Sequence, residues 1–150
     1  MAVGLRRSGL GVLACAALAC CLAAQAMKPS AQVIGVQAEK APAAFLSWKS
    51  RTIVTSVMET EAEGLQTQMG YELTQAILQD LLSDFILVSE EEMASAILIY
   101  LELARNLSEE AGASPLAAAL KIKERLKGKT IVMILSGGNI SVERLRRLLR

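Results

Sequence analysis

The run from Thr130 to Ser141, TIVMILSGGNIS, sets a serine hydroxyl and two glycines at the end of an apolar, β-branched stretch. Adjacent glycines let a backbone bend sharply and let a ligand come close to it. Such a loop suits a tight turn, a phosphate cradle or a cofactor contact. Phosphate cradles carry more glycines, often with a lysine, and open directly into a helix. Neither the dinucleotide nor the P-loop glycine pattern occurs in the chain. Spacing alone leaves the turn and the cofactor contact both standing.

Other chemistries are excluded outright. The 150 residues contain no histidine, so a His-based triad, a His-ligated zinc and a His proton shuttle are ruled out within the chain. Cys15, Cys20 and Cys21 sit in one Ala-rich segment at spacings unlike zinc or redox motifs, and read as small hydrophobes. A net charge of +1 points to neither nucleic acid nor an anionic membrane as partner. Arg144, Arg146, Arg147 and Arg150 read as charge complementing the negative end of a last helix. With 53% hydrophobic and 21% charged residues, the chain is globular and long enough for one domain with a core.

The elements that must position the loop follow from punctuation and period. QVIGVQA (Gln32–Ala38) is a short β-rich run, and APAAFLSWKS (Ala41–Ser50) a helix with Pro42 in its first turn. Arg51–Gly70 has no sustained period and reads as loop. Tyr71–Leu82 places Leu73, Ile77 and Leu81 on one helical face, and Phe85–Val88 is a buried strand. Ser89 with Glu92 forms a capping box for a helix through Met93, Ile97, Tyr100 and Ala104. NLSEEAGASP reads as an extended piece and turn. Ser114 then caps a helix with Pro115 at its first position and Leu116, Ala119, Leu120 and Leu126 on its core face, ended by Gly128. Thr130–Leu135 is the last strand, and Ser141 caps a helix over Val142–Leu149. Unbroken apolar strands alternating with helices predict an α/β fold with a mainly parallel sheet covered on both faces. In such sheets ligands bind beyond the carboxyl ends of the strands, where Ser136-Gly137-Gly138-Asn139 stands.

The first quarter has two readings. Arg6 and Arg7, the apolar stretch Leu10–Ala24 and the triplet Ala24-Gln25-Ala26 have the anatomy of a secretory signal. The stretch is short for a membrane span. The other reading is a buried Ala-rich helix preceding a strand.

Five segments in register then resemble one family: VIGVQAEKAPAAFLSWKS, EAEGLQT, YELTQAILQDLLSDFILVSEEEMASAI, EEAGASPLAAAL and KGKTIVMILSGGNIS. Together they resemble the C-terminal part of the catalytic domain of the threonine/serine dehydratases. These are pyridoxal-phosphate enzymes of the tryptophan-synthase-β fold (fold type II), to which serine racemase is related. The resemblance covers roughly Met27 to Arg150. It implies a partial three-layer α/β/α domain over 27–150, with 1–26 as an Ala-rich family helix or a signal-like segment. It also implies pyridoxal phosphate as cofactor, with Ser136 facing the pyridine nitrogen and Gly137 beside it. Gly64 matches a glycine packed by the ring, Glu109 an acidic residue near it, and Thr67 a small hydroxyl residue near the substrate carboxylate. Some relatives bind a divalent cation; Glu39 and Ala43 match two of its ligands, but Phe45 replaces the third and offers no oxygen.

The family's Schiff-base lysine lies in a Ser-Phe-Lys-type motif, and no such motif occurs in the sequence. The Ser-x-Gly-Asn-His substrate loop is absent too. The glycine-rich phosphate cup should fall near Val12–Ala16, where the sequence is VLACA. Without the lysine there is no covalent catalysis by this route. The resemblance thus implies a cytoplasmic, amino-acid-metabolising lyase fragment that is silent alone. The family reaction takes L-threonine to 2-oxobutanoate and ammonia. The rivals are a racemase-like chain, a non-catalytic α/β module, an exported remnant, and one half of a split enzyme. A homo-oligomer or a chain supplying the missing N-terminal half is the expected partner, with an amino acid as substrate.

Overall fold

The computed structural model describes residues 12–150, with side chains from Ala17 onward; Arg6, Arg7 and the side chain of Cys15 lie outside the described part. Strands β1 (Ile34–Ala38) and β2 (Asp84–Val88) pair in parallel, in register from Ile34↔Asp84 to Ala38↔Val88. Parallel neighbours need a long crossover. Here it holds α2 (Ala43–Ser50), an irregular stretch with a 3-10 turn at Glu63–Leu65, and α3 (Glu72–Leu81).

Helices cover both faces of the ladder. On one face, Cys21 of α1 (Val12–Met27) is buried with Leu78, Leu82 and Phe85, and Ala44, Phe45 and Trp48 close around them. The rings of Phe45 and Trp48 meet Phe85 edge-on with centroids 5.9 Å apart, an arrangement the ring quadrupole favours. On the other face, α4 (Glu90–Ile99) and α5 (Glu110–Lys121) pack Met93, Ala96, Ile97, Ala113 and Ala117 against Ala38, Ile86 and Val88. Met93 and Ile97 are fully buried, each worth about 2 kcal/mol of transfer free energy. This is the three-layer α/β/α arrangement expected from the unbroken apolar strands.

The capping box forms as its spacing predicts. Ser89 Oγ accepts from the Glu92 N–H at 3.2 Å, and Glu92 Oε2 accepts from the Ser89 N–H at 2.8 Å. Beyond α4 the helix widens into a π-helical turn over Tyr100–Ala104, which Arg105 ends in the left-handed region at φ 57°. Pro42 sits at the N-cap of α2 rather than inside its first turn.

Four expectations are corrected. The face of α3 that packs inward is Thr74, Gln75 and Leu78, whereas Leu73 is 74% exposed. Trp48 Nε1 donates to the Leu78 carbonyl at 3.1 Å, and Gln75 Nε2 donates to the Ala44 carbonyl at 3.2 Å. These bonds set the face so that Leu73 is left outside, while Leu81 still packs against the cluster of Leu78 and Phe85.

Helix α5 begins at Glu110, inside the stretch expected to be extended, so Ser114 and Pro115 lie within it. A proline there cannot donate to the carbonyl four residues back; Ser114 Oγ donates to that Ala111 carbonyl instead, at 2.8 Å. The side of α5 that packs inward is accordingly Ala111, Ala113, Ala117 and Ala118, with Leu116 packed against that cluster as expected and Leu120 exposed. The helix breaks at Ile122, restarts as α6 (Lys123–Leu126), and Gly128 follows at φ 72°.

Thr130–Leu135 forms no strand. Its composition suits a sheet, but a strand exists only with a neighbour to bond, and none of the described residues pairs with it.

Ser141 caps α7 (Val142–Leu148) as expected, its Oγ accepting from the Arg144 N–H at 3.1 Å. Arg144, however, lies in the first turn of α7 and binds carboxylates of other elements instead of the helix end. Among the described residues no helix is long and apolar enough to cross a membrane.

Candidate cofactor-facing site

Of the residues singled out by the sequence, Ser136, Gly137 and Glu109 meet at the first turn of α5. The chain leaves Leu135 and lays Ser136–Asn139 across that turn. Gly137 adopts φ 77°, a conformation L side chains rarely take. Its carbonyl accepts from the Glu109 N–H at 3.4 Å, and Glu109 Oε2 accepts from the Asn139 N–H at 3.1 Å. A Cβ on Gly137 would lie 2.2 Å from Glu109 Oε1. The Glu109 carboxylate is therefore a clasp seated on the loop.

Beneath the loop, Gly112 is the floor. A Cβ there would stand 2.0 Å from the Ser136 carbonyl oxygen and 2.7 Å from Ser108 Oγ. Ser108 is fully buried, and its hydroxyl donates to the Glu109 carbonyl at 2.9 Å.

The turn carrying Gly64 packs at the same end of α5. Leu65 is buried in the cluster that holds Ala111 and Ala113. Arg144 joins these pieces: its Nε lies 2.6 Å from Glu110 Oε1 and its Nη1 2.7 Å from Glu61 Oε2. Glu110 is 6% exposed and Arg144 17%, so their pair is largely withdrawn from water. One guanidinium thus holds α7, the start of α5 and the approach to the Gly64 turn together.

Thr67 is bound elsewhere. Its Oγ1 accepts from Gln37 Nε2 at 2.6 Å, and Gln37 Oε1 accepts from the Phe45 N–H at 2.9 Å. Gln37, buried on β1, thereby fixes both Thr67 and the first turn of α2.

The two matched cation ligands have other partners. Glu39 Oε1 lies 3.1 Å from Lys121 Nζ, which also lies 3.0 Å from Glu92 Oε2 and donates to the Leu87 carbonyl at 3.0 Å. Burial alone would lower the Lys121 pKa, but the hydrogen bonds to Glu92 and Glu39 outweigh it and hold the ammonium above its ordinary value. The Ala43 carbonyl accepts from Ser47 Oγ at 2.7 Å, and the Phe45 ring carries Lys49 above it at 5.6 Å. Among the described residues no group of three or more Cys, Asp or Glu is placed to hold a metal ion.

Three residues of this region carried no signal that composition or spacing exposed. Gly112 reads as part of a turn, Gln37 as a strand residue, and Arg144 as helix-end charge. The isolated glycine between small residues in EEAGAS is the one trace of close packing that the sequence offers.

A parallel α/β/α layer with a Ser-Gly-Gly-Asn loop beyond its last apolar run defines the class of fold-type II pyridoxal-phosphate proteins. Residues 13–137 match the family described as pyridoxal-phosphate dependent enzyme, and the chain belongs to that family. It is 36% identical over 129 residues to the L-threonine ammonia-lyase of Thermotoga maritima, covering 85% of this chain and 32% of that protein. It is 35% identical over 124 residues to the serine racemase of Schizosaccharomyces pombe, covering 82% of this chain and 38% of that one. The processed form of threonine deaminase isoform 2 from Solanum lycopersicum superposes with a TM-score of 0.81 at 28% identity, over 88% of this chain and 39% of that one. The chain spans about a third of the length of these curated relatives.

The donors present fit one side of such a cofactor. The half-buried Ser136 ends the apolar run, and a hydroxyl there suits a pyridine nitrogen. The Ser-Phe-Lys-type anchor is absent from the sequence, and three of the lysines are engaged elsewhere. Lys121 is held among Glu39, Glu92 and Leu87 at the far end of α5, a helix of 12 residues and so about 18 Å long. Lys127 pairs with Glu124 on α6, and Lys49 stacks on Phe45. No glycine-rich cup lies among residues 12–150.

Proposed function

We propose that this chain forms the ring-facing wall of a threonine/serine dehydratase-type pyridoxal-phosphate site and is catalytically silent alone. The observation that carries the reading is the seating of Ser136–Asn139 on Glu109 and Gly112, within a match to the family that runs through residue 137. Pyridoxal phosphate supplies an electron sink for α-proton removal and β-elimination. Here Ser136 would meet the ring nitrogen, Gly137 would let the ring approach, and Gly64 would pack beside it. Thr67, fixed by Gln37, would lie towards the substrate carboxylate. A neutral hydroxyl at the nitrogen need not keep the ring protonated, which suits elimination of hydroxide from threonine or serine.

The boundary between 1–26 and 27–150 belongs to the same reading. Cys21 is buried against Leu78 and Phe85, which supports α1 as part of the folded domain and, with it, a cytoplasmic protein over an exported one.

The test is ammonia and 2-oxobutanoate release from L-threonine by the purified chain with added cofactor. No release above the cofactor-only control is expected. Turnover by the chain alone would overturn the reading.

A further inference from the structure

The ammonium of Lys121 stands where three elements meet. Its Nζ lies 3.1 Å from Glu39 Oε1, just past β1, and 3.0 Å from Glu92 Oε2 in the first turn of α4. It also donates to the Leu87 carbonyl of β2 at 3.0 Å. An ammonium has three N–H donors and no acceptor, so each donor is spent on one oxygen. Glu92 is held from behind, since the same Oε2 accepts from the Ser89 N–H at 2.8 Å. A surface ion pair usually joins two long, free side chains and contributes little. Here one oxygen belongs to a strand backbone and another to a capping box, so both are in place whether or not the lysine is.

Two carboxylates and a carbonyl are the hard oxygens that a divalent cation such as calcium takes. The resemblance implies such a cation at Glu39 and Ala43, and the residues there do not fit it. The Ala43 carbonyl accepts from Ser47 Oγ at 2.7 Å, and Phe45 brings no side-chain oxygen. The oxygens that do gather surround a side-chain cation instead, and it neutralises one of their two charges. Lys121 and Glu92 also line an open cleft with Ser95 and Leu120, so water reaches the corner. The Glu39 side chain is 46% exposed and free to close the roughly 0.5–0.8 Å that separates its ammonium distance from a calcium one.

We propose that Lys121 is the resident cation of this corner: it keeps divalent metal out of the natural chain, and its removal turns Glu39, Glu92 and the Leu87 carbonyl into a calcium site completed by water. The natural chain is then indifferent to divalent cations at this corner. Calcium suits the set better than magnesium, because it accepts irregular oxygen ligands at about 2.3–2.6 Å, whereas magnesium demands a near-ideal octahedron and gives up water reluctantly. Lys121 closes the opposite end of α5 from the Ser136 loop, so none of this depends on what that loop binds.

The test is thermal unfolding of the full chain in CaCl2 or MgCl2 at about 10 mM, each against NaCl of equal ionic strength. Wild type should melt within about 1 °C in all three salts. Lys121→Met should melt about 3–6 °C higher in CaCl2 than in NaCl, the shift for a site of about 1 mM Kd at tenfold excess, and gain less in MgCl2. Adding Glu39→Gln to Lys121→Met should abolish the gain. If Lys121→Met does not fold in NaCl, CaCl2 should restore folding, and failure to do so would overturn the proposal. A calcium-specific shift in wild type that Glu39→Gln removes would show that metal displaces the lysine, and would overturn it too. So would a folded Lys121→Met with no calcium shift, or a shift that survives Glu39→Gln.

Discussion

At the scale of single residues, the candidate site rests on Gly112 as much as on Ser136. Alanine is the better helix former by about 1 kcal/mol, so propensity alone favours Gly112→Ala. The contact opposes it: the new methyl would stand 2.0 Å from a backbone oxygen, with Gly137 O at 2.9 Å behind it. Backbone cannot swing aside as a flexible side chain does, and forced overpacking costs about 1–3 kcal/mol. The clash wins. Gly112→Ala should lower the melting temperature by about 2–6 °C and speed amide exchange at Gly137, Gly138 and Asn139. A rise in melting temperature would show that the loop is not seated on α5. Ser136, Gly137 and Glu109 were singled out through the resemblance to the dehydratases, and the structure brings the three together. Gly112 was not, since its reason lies 24 residues further along the chain, in the carbonyl of Ser136.

At the scale of elements, the joints are ionic. Arg144→Met would leave the Glu110 carboxylate buried without its cation, a change that typically costs about 3–5 kcal/mol. The residual exposure of Arg144 and the shared Glu61 place this case near the lower end, about 3 kcal/mol. Arg144→Met with Glu110→Leu should recover most of that loss. Urea denaturation of the two single variants and the double variant gives the coupling directly; additive losses would mean that the pair is not a joint.

Lys121 makes the other joint, tying the end of α5 to β1, β2 and α4. Its folded pKa is raised. Its contribution is therefore complete below the unfolded value of about 10.4 and lost as pH rises through the folded value. The stability difference between wild type and Lys121→Met should hold steady to about pH 10 and shrink above it. A difference that grows in alkali would contradict the assignment. Capping boxes and apolar runs gave β1, β2 and α4 from sequence alone. The start of α5 was hidden because Pro115 mimics a first-turn proline, and only Ser114 bonding to Ala111 shows how the helix continues through it. The inward face of α3 was hidden because two long-range hydrogen bonds, from Trp48 and Gln75, centre it on Thr74, Gln75 and Leu78 and leave Leu73 outside.

At the scale of the whole molecule, layer architecture follows from runs that need cover on both faces, so the α/β/α class was readable. Whether Thr130–Leu135 becomes a strand was not, because that depends on a neighbour the sequence does not name. The same asymmetry governs ligand affinity. A ligand held at about one hundred times its Kd adds about 2.7 kcal/mol of stability, or about 5–11 °C in melting temperature for a chain of this size. Pyridoxamine phosphate is the clean probe, since it carries an amine and cannot condense with surface lysines. With only the Ser136 side of the site to meet it, the chain should melt within about 1 °C of its ligand-free value, and Ser136→Ala should behave identically. A full shift in the isolated chain would place a phosphate anchor within these 150 residues and sink the claim that the wall is silent alone.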